Sequence, residues 1–163
     1  MLVTHTLLPI YHDDSAILIL GTMPSPKSRE LGFYYGHPRN RFWPILADIF
    51  AEPHPISIED KIALCRRHRI ALWDVLASCE IQGADDHSIK DPIANNMSVV
   101  LDHAPIKTIC TTGLTAYALY QKYCCPTTHI PVLSLPSTSP ANCRTSYEDL
   151  RNAYLALLPY TSI

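Results

Sequence analysis

Nowhere else in this chain do glycine, aromatic rings and positive charge come together as closely as in residues 21–44, GTMPSPKSRELGFYYGHPRNRFWP. Three of the five glycines and four of the thirteen Lys/Arg residues fall there, which makes it the first place to look for a ligand site. Gly21-Thr22-Met23-Pro24-Ser25 is a loop whose small residues allow close backbone approach. Phe33, Tyr34 and Tyr35 offer planar faces, and stacking a nucleobase on an aromatic ring is worth about 1–3 kcal/mol. For any one ring the competing reading is packing over the core; the three together point to a site. Ser25, Lys27 and Arg39 are able to meet phosphate. Neither common nucleotide fingerprint is present, since both G-x-x-x-x-G-K-[ST] and G-x-G-x-x-G are missing.

Two more side chains and a second loop carry chemistry. The amide of Asn40 is no general base, but it can hold a water and stabilise developing charge. At the mouth of a helix it can equally serve as a cap, and the residues alone leave the two readings open. Asp74 closes the segment Ala-Leu-Trp-Asp, where its carboxylate can accept from an N–H group or cap the next turn. The stretch 136–142, PSTSPAN, reads either as a Pro-rich turn or as a phosphate-binding loop. In the second reading Ser137, Ser139, Asn142 and the nearby Arg144 are the contacts. His37 is a surface histidine or a phosphate contact. Nothing in the sequence desolvates Lys27, so a Schiff-base mechanism is not expected.

These side chains need a scaffold. Residues 16–20 are apolar throughout, as in a parallel strand covered on both faces. Further strands are expected at 70–76, 106–111 and 131–135. Helices are expected at 41–51, from Ser57 onward with Asp60 closing a capping box, at 93–103, at 114–123, and from Ser146 onward. The buried stripe of the 57 helix is Ile58, Ile62 and Cys65; that of the last helix is Tyr147, Leu150, Tyr154 and Leu157. Residues 1–15 form a lead-in docking through 7–10, and 82–90 is a polar loop. Strands alternating with helices imply a parallel sheet flanked by helices, and glycine-bearing loops at strand C-termini are where such folds bind ligands.

At 163 residues the chain suits one domain with a substantial core. Its 47% apolar and 17% charged residues fit a folded protein rather than a disordered one. The net charge of -2 excludes a globally basic nucleic-acid binder, yet residues 21–44 carry +3 (Lys27, Arg29, Arg39 and Arg41 against Glu30), leaving -5 elsewhere. A local basic loop on a mildly acidic body suits a focused phosphate-facing surface. The six cysteines show no C-x-x-C or zinc spacing, so a reduced, metal-free state is expected. The longest charge-free span holds four prolines and is no membrane helix.

In order along the chain, GTMPS after an apolar strand, FYYGHPRNRFWPIL behind it and LPSTSPAN after the last strand resemble the uracil-DNA glycosylase superfamily. The nearest branch is family 6, the hypoxanthine-DNA (deoxyinosine) glycosylases. The mismatch-specific uracil branch shares N-R-F-W but has an Asn after its strand glycine. The resemblance spans almost the whole chain. It implies an α/β fold, a three-layer α/β/α arrangement around a central four-stranded parallel sheet, in a single domain over 1–163. It also implies a monofunctional enzyme of DNA base excision repair, without cofactor or metal, acting on DNA that contains a deaminated base; the cysteine usage suits a cytoplasmic protein, and a monomer is expected. The base would be flipped out and hypoxanthine released.

The resemblance assigns roles residue by residue. Many superfamily members carry Asp or Asn two positions after the strand glycine to position water; here that position is Met23, whose thioether cannot. The leading role passes to Asn40 of P-R-N-R-F-W. Gly21, Thr22 and Met23 would line the base, with Phe33 or Tyr35 stacking on it. Asp74 stands where related enzymes often have an Asn that reads the base edge. Hypoxanthine presents an N1–H beside O6, which a carboxylate accepts; guanine shares that donor, while adenine lacks it. Loop 136–142 resembles the segment that presses into the minor groove. Two alternatives stand beside this reading: a uracil or broad deaminated-base glycosylase, and a non-catalytic nucleic-acid-binding module, which Met23 supports best.

Overall fold

A computed structural model describes residues 1–161. The elements run β1 (Leu2–Thr4), β2 (Ile17–Gly21), α1 (Pro26–Leu31), α2 (Phe42–Ile49), α3 (Ile58–Arg67), β3 (Ile70–Asp74), β4 (Leu76–Gln82), β5 (Asp85–Ala94), α4 (Ser98–Leu101), β6 (Thr108–Thr112), α5 (Leu114–Tyr123), α6 (Cys125–Thr128), β7 (Val132–Leu135), α7 (Tyr147–Tyr154) and α8 (Leu158–Thr161). Strand β2 is the axis of the fold. All five of its residues are buried, and it pairs in parallel with β3 on one side and β6 on the other. Adding β7 outside β6 gives a four-stranded parallel sheet of order β3-β2-β6-β7. Helix α3 packs on β3, α5 on β6, and α2 on α7. The α/β fold expected from the alternation of apolar runs and amphipathic segments is the fold observed.

Local chemistry accounts for the helix boundaries. Ser57 and Asp60 form a reciprocal capping box at α3, and the Ser146 hydroxyl accepts from the Asp149 N–H at α7. Ser25 caps α1, which ends at Gly32 in the left-handed conformation, where a Cβ is unfavourable.

The second sheet was not expected. β1, β4 and β5 form a three-stranded antiparallel sheet in the order β1-β4-β5. Residues 1–15 are therefore more than a lead-in: Leu2–Thr4 pairs with Glu80–Ser78, and Ile10 bridges Leu72 while Leu8 is exposed. The expected strand at 70–76 divides at Val75, with β3 in the parallel sheet and β4 leaving for the other one. The polar loop and the start of the 93–103 helix are replaced by β5, which returns along β4 through a turn at Gly83, φ 58°. Only Ser98–Leu101 is helical, with Met97 and Val100 buried beneath it. Ile58 and Tyr147, expected in buried stripes, are exposed; the Tyr147 hydroxyl bonds the Asp48 carboxylate.

Candidate active site

A cavity of about 300 Å³ opens at the C-terminal ends of β2, β3 and β6, beneath the loop that follows β7. Its size lies at the lower end of small-ligand sites. Gly21, Thr22, Met23 and Ser25 enter it from the end of β2, Asp74 from the end of β3, and Ser137 and Ser139 from the loop after β7. Tyr35 and Asn40 complete the wall from the connection between α1 and α2.

Gly21 and Asp74 are register partners across β2 and β3. A Cβ at position 21 would lie 2.6 Å from Asp74 Oδ1, so only glycine lets the carboxyl sit there. Asp74 is 4% exposed, and its Oδ2 lies 2.8 Å from Nε2 of His5, a residue just beyond β1. Burial pushes the Asp74 carboxyl above the usual carboxylate range; the hydrogen bonds from His5 and the Gly21 backbone pull it back. The Asn95 amide donates to the Asp74 and Leu76 carbonyls at 2.9 and 3.1 Å, fixing the bend where the chain changes sheets.

The aromatic trio separates. Phe33 is a core residue, 6% exposed, with its ring stacked on Trp43 and edge-on to Tyr34; it does not line the cavity. Tyr34 lines the wall but is pinned, its hydroxyl donating to the Leu8 carbonyl at 2.7 Å. Tyr35 is half-buried, with one ring face stacked on Phe42 at 3.8 Å. Its backbone lies at φ 52°, an uncommon conformation for a bulky residue and one that active sites often retain. Burial raises its hydroxyl well above the usual phenol range, so the group is a neutral hydrogen-bonding partner.

Of its two expected roles, Asn40 fills the structural one, and it also lines the cavity. Its Oδ1 accepts from the Phe42 N–H at 2.9 Å, at the first residue of α2. Because a backbone N–H needs an acceptor, that bond fixes which way the amide faces and leaves Nδ2 as the group not held by α2. Nearby, His37 Nδ1 accepts from the Arg39 N–H at 3.0 Å, so Nε2 carries the ring proton in the neutral form; His37 also lines the cavity.

The loop after β7 is held by the other end of the same connection. The Arg41 guanidinium donates to the carbonyls of Thr145 at 2.7 Å, Ser139 at 3.2 Å and Asn142 at 2.8 Å. The Arg41 N–H adds a bond to the Thr138 carbonyl at 3.1 Å. Inside the loop, Ser137 and Ser139 hydroxyls accept from the Ser139 and Ala141 N–H groups. The Asn142 amide donates to the Ser137 carbonyl and to Thr145, so Asn142 braces the loop. Asn142 and Arg144 line an adjoining hollow of about 560 Å³ rather than the cavity itself.

The positive charge of 21–44 is thus distributed differently from the expectation of a uniformly phosphate-facing loop. Arg41 holds carbonyls, Arg29 bonds the Pro24 carbonyl at 2.7 Å, and Lys27 pairs with Glu30 at 3.6 Å. Arg39 is exposed beside the cavity wall formed by His37 and Asn40.

Two residues that the sequence did not single out complete the site. His5 is one. Asp86, from the β4–β5 hairpin, is the other; it lines both the cavity and the adjoining hollow. Although much of Asp86 meets solvent, the protein around its carboxyl holds it above the usual range. A lone His near the N-terminus and an Asp in a polar stretch give no periodic signal; only the pairing of β1 with β4 and of β4 with β5 brings them in. Among the described residues, no group of three or more His, Cys, Asp or Glu is placed to hold a metal ion, and no helix is long and apolar enough to cross a membrane.

Comparison with known proteins places the chain in a family. The sequence model of the uracil DNA glycosylase superfamily matches residues 8–158. A hypoxanthine DNA glycosylase of Methanosarcina barkeri is 37% identical over 98 residues, 60% of this chain and 62% of that protein. A hypoxanthine DNA glycosylase of Methanosarcina acetivorans is 32% identical over 109 residues, 66% of this chain and 69% of that protein. The chain thus spans under two thirds of the first relative and slightly more of the second. The solution NMR structure of a Methanosarcina acetivorans protein named for uracil DNA glycosylase superposes with a TM-score of 0.80 at 28% identity, covering 96% of this chain and 99% of that one.

Proposed function

The chain belongs to the uracil DNA glycosylase superfamily, and from that premise we propose that it is a monofunctional DNA glycosylase that releases hypoxanthine from deoxyinosine in DNA. One observation carries the reading: Gly21, Tyr35, Asn40 and Asp74, from four separate positions in the chain, meet at one cavity of about 300 Å³. The two Methanosarcina relatives named as hypoxanthine DNA glycosylases support the choice of base.

In this mechanism the nucleotide leaves the duplex and its base enters the cavity. One face of Tyr35 is taken by Phe42, so the base stacks on the other. Asp74 accepts the N1–H of the base. The bond from C1′ to N9 breaks with its electron pair going to the base, and the sugar acquires oxocarbenium character. Water adds to C1′ and loses a proton to solvent, while the departing base takes up a proton. Asn40, its Oδ1 fixed by α2, presents Nδ2 to hold the water and to stabilise the charge that develops. Met23 supplies no base, so the chemistry rests on positioning and electrostatics. Ser25, Lys27, Arg39, Ser137, Ser139 and Arg144 form the surface that meets the DNA backbone, with Asn142 acting through the loop it braces.

A second reading makes uracil the target, because its N3–H offers Asp74 the same donor. Labelled duplexes containing inosine, uracil or xanthine, treated with the protein and then with alkali to cleave abasic sites, decide between them. Hypoxanthine release is expected to be fastest. Intact inosine DNA beside cleaved uracil DNA rejects the first reading, and no release from any duplex rejects both in favour of a binding module.

A further inference from the structure

The pair formed by His5 and Asp74 has a geometry that goes beyond holding two strands together. The two side chains are 3% and 5% exposed and meet at 2.8 Å, 69 residues apart in sequence. Burying an ionisable pair this fully is costly unless its geometry is held, and here it is. The His5 N–H donates to the Ala77 carbonyl at 2.7 Å, continuing the β1–β4 ladder by one residue. The imidazole lies near two rings, Tyr34 at 6.2 Å between centroids and Trp73 at 6.4 Å and edge-on. The carboxyl divides its work. Oδ2 is bonded to His5, whereas Oδ1 lies against Gly21 at the cavity wall, in space that a Cβ there would enter.

We propose that His5 is the positioning residue of the base-reading carboxylate: with Nε2–H donated to Oδ2, it keeps Asp74 an acceptor, so that a base with a ring N–H is bound and adenine is refused. The inference rests on the glycosylase reading above for its substrate, but not for the state of the pair. A protonated Asp74 would be a donor as well, and would match the bare N1 of adenine while losing its preference for the N1–H of hypoxanthine.

The surroundings leave this task to His5. The titratable groups that face Asp74 are His5, Tyr34, Tyr35 and Asp86. Burial holds both tyrosine hydroxyls neutral, and Asp86 is a like charge that favours protonation. Of the four, only His5 favours the carboxylate.

The test compares wild type with His5→Leu, which fills the space without a donor, and His5→Gln, which retains an N–H. Carboxyl 13C NMR of Asp74 is followed against pH in the free proteins, and kcat/KM on inosine duplexes is followed over the same range. In His5→Leu the Asp74 titration and the acidic limb of kcat/KM both move up by a unit or more, which lowers activity at a pH on that limb by about tenfold. The alkaline plateau falls far less, and release of adenine from a control duplex becomes measurable. His5→Gln falls between the two proteins. An Asp74 titration that stays in place in both variants overturns the proposal, as does an activity profile scaled equally at every pH. If wild type releases no base from any duplex, the glycosylase reading fails, and the Asp74 titration alone then decides the pair. Should His5→Leu fail to fold, His5→Gln decides by the same two readings.

Discussion

At the scale of single residues, Asn40 is where structural support and proposed chemistry meet in one side chain. Its Oδ1 is bonded to the Phe42 N–H at 2.9 Å, so removing the side chain should cost both stability and rate. In Asn40→Ala, loss of that bond is expected to cost about 1 kcal/mol of stability, while loss of an oriented amide lowers kcat by about 10²–10³-fold. Asn40→Asp separates the two effects, because a carboxylate still accepts from Phe42 but has no N–H to offer. It should melt close to wild type and remain slow on inosine DNA; near-normal turnover would confine Asn40 to its structural bond. Asn40, Tyr35 and Asp74 were legible in the sequence because each lies in a short run whose order is informative. Phe33 was misplaced for a physical reason: a ring in a loop packs on the core as readily as it lines a cavity, and sequence does not say which one stacks on Trp43. His5 was not legible at all, since its partner lies 69 residues away.

At the scale of elements, the parallel sheet was readable because buried strands are continuous apolar runs, and 16–20 is the plainest of them. The antiparallel sheet was not. β1 has three residues, and most of β5 is exposed and polar, so neither shows the alternation that marks a strand. Those two strands nevertheless bring Asp86 to the cavity and His5 against Asp74. The other element with an unexpected role is the connection into α2, whose Arg41 guanidinium reaches three carbonyls of the loop after β7. A lysine could not span all three, because the guanidinium fork is planar and fixed. Arg41→Ala should therefore lower stability by about 1.5–3 kcal/mol, the range for hydrogen bonds to a charged group. Amides 137–145 should exchange faster with deuterium, and KM for substrate DNA should rise more than kcat falls. A variant with wild-type exchange in that loop would show that Arg41 does not hold it.

For the molecule as a whole, charge sets how stability and DNA binding respond to solution conditions, and the two responses arise at different places. Glu52 is held below its usual range, first by the hydrogen bond from Arg67 and then by that from His68. Its stabilisation is complete above a pH of about 4.5 and fades as the pH falls through its folded pKa. Asp74 has the opposite sign: folded protein binds its proton more tightly than unfolded chain, so its penalty grows as the pH rises above about 3.8. Asp74→Asn should therefore melt higher than wild type at pH 7, with the gap closing toward pH 4, while Glu52→Gln should melt lower at pH 7 and converge with wild type in acid. Thermal melts across pH check both signs. Under the proposed function, DNA affinity depends instead on the cations that reach the rim. The +3 of residues 21–44 overstates this, because Arg29 and Arg41 are engaged with backbone carbonyls. Arg39, Arg144 and Lys27, which would exchange its exposed partner Glu30 for phosphate, are the proposed phosphate contacts, and three neutralised phosphates give a slope of about -2.7 for log K against log salt on duplex DNA. Arg39→Ala should weaken binding to all sequences alike and make the slope shallower by about 0.9. A wild-type slope steeper than about -5 would mean that cations beyond this rim carry the DNA.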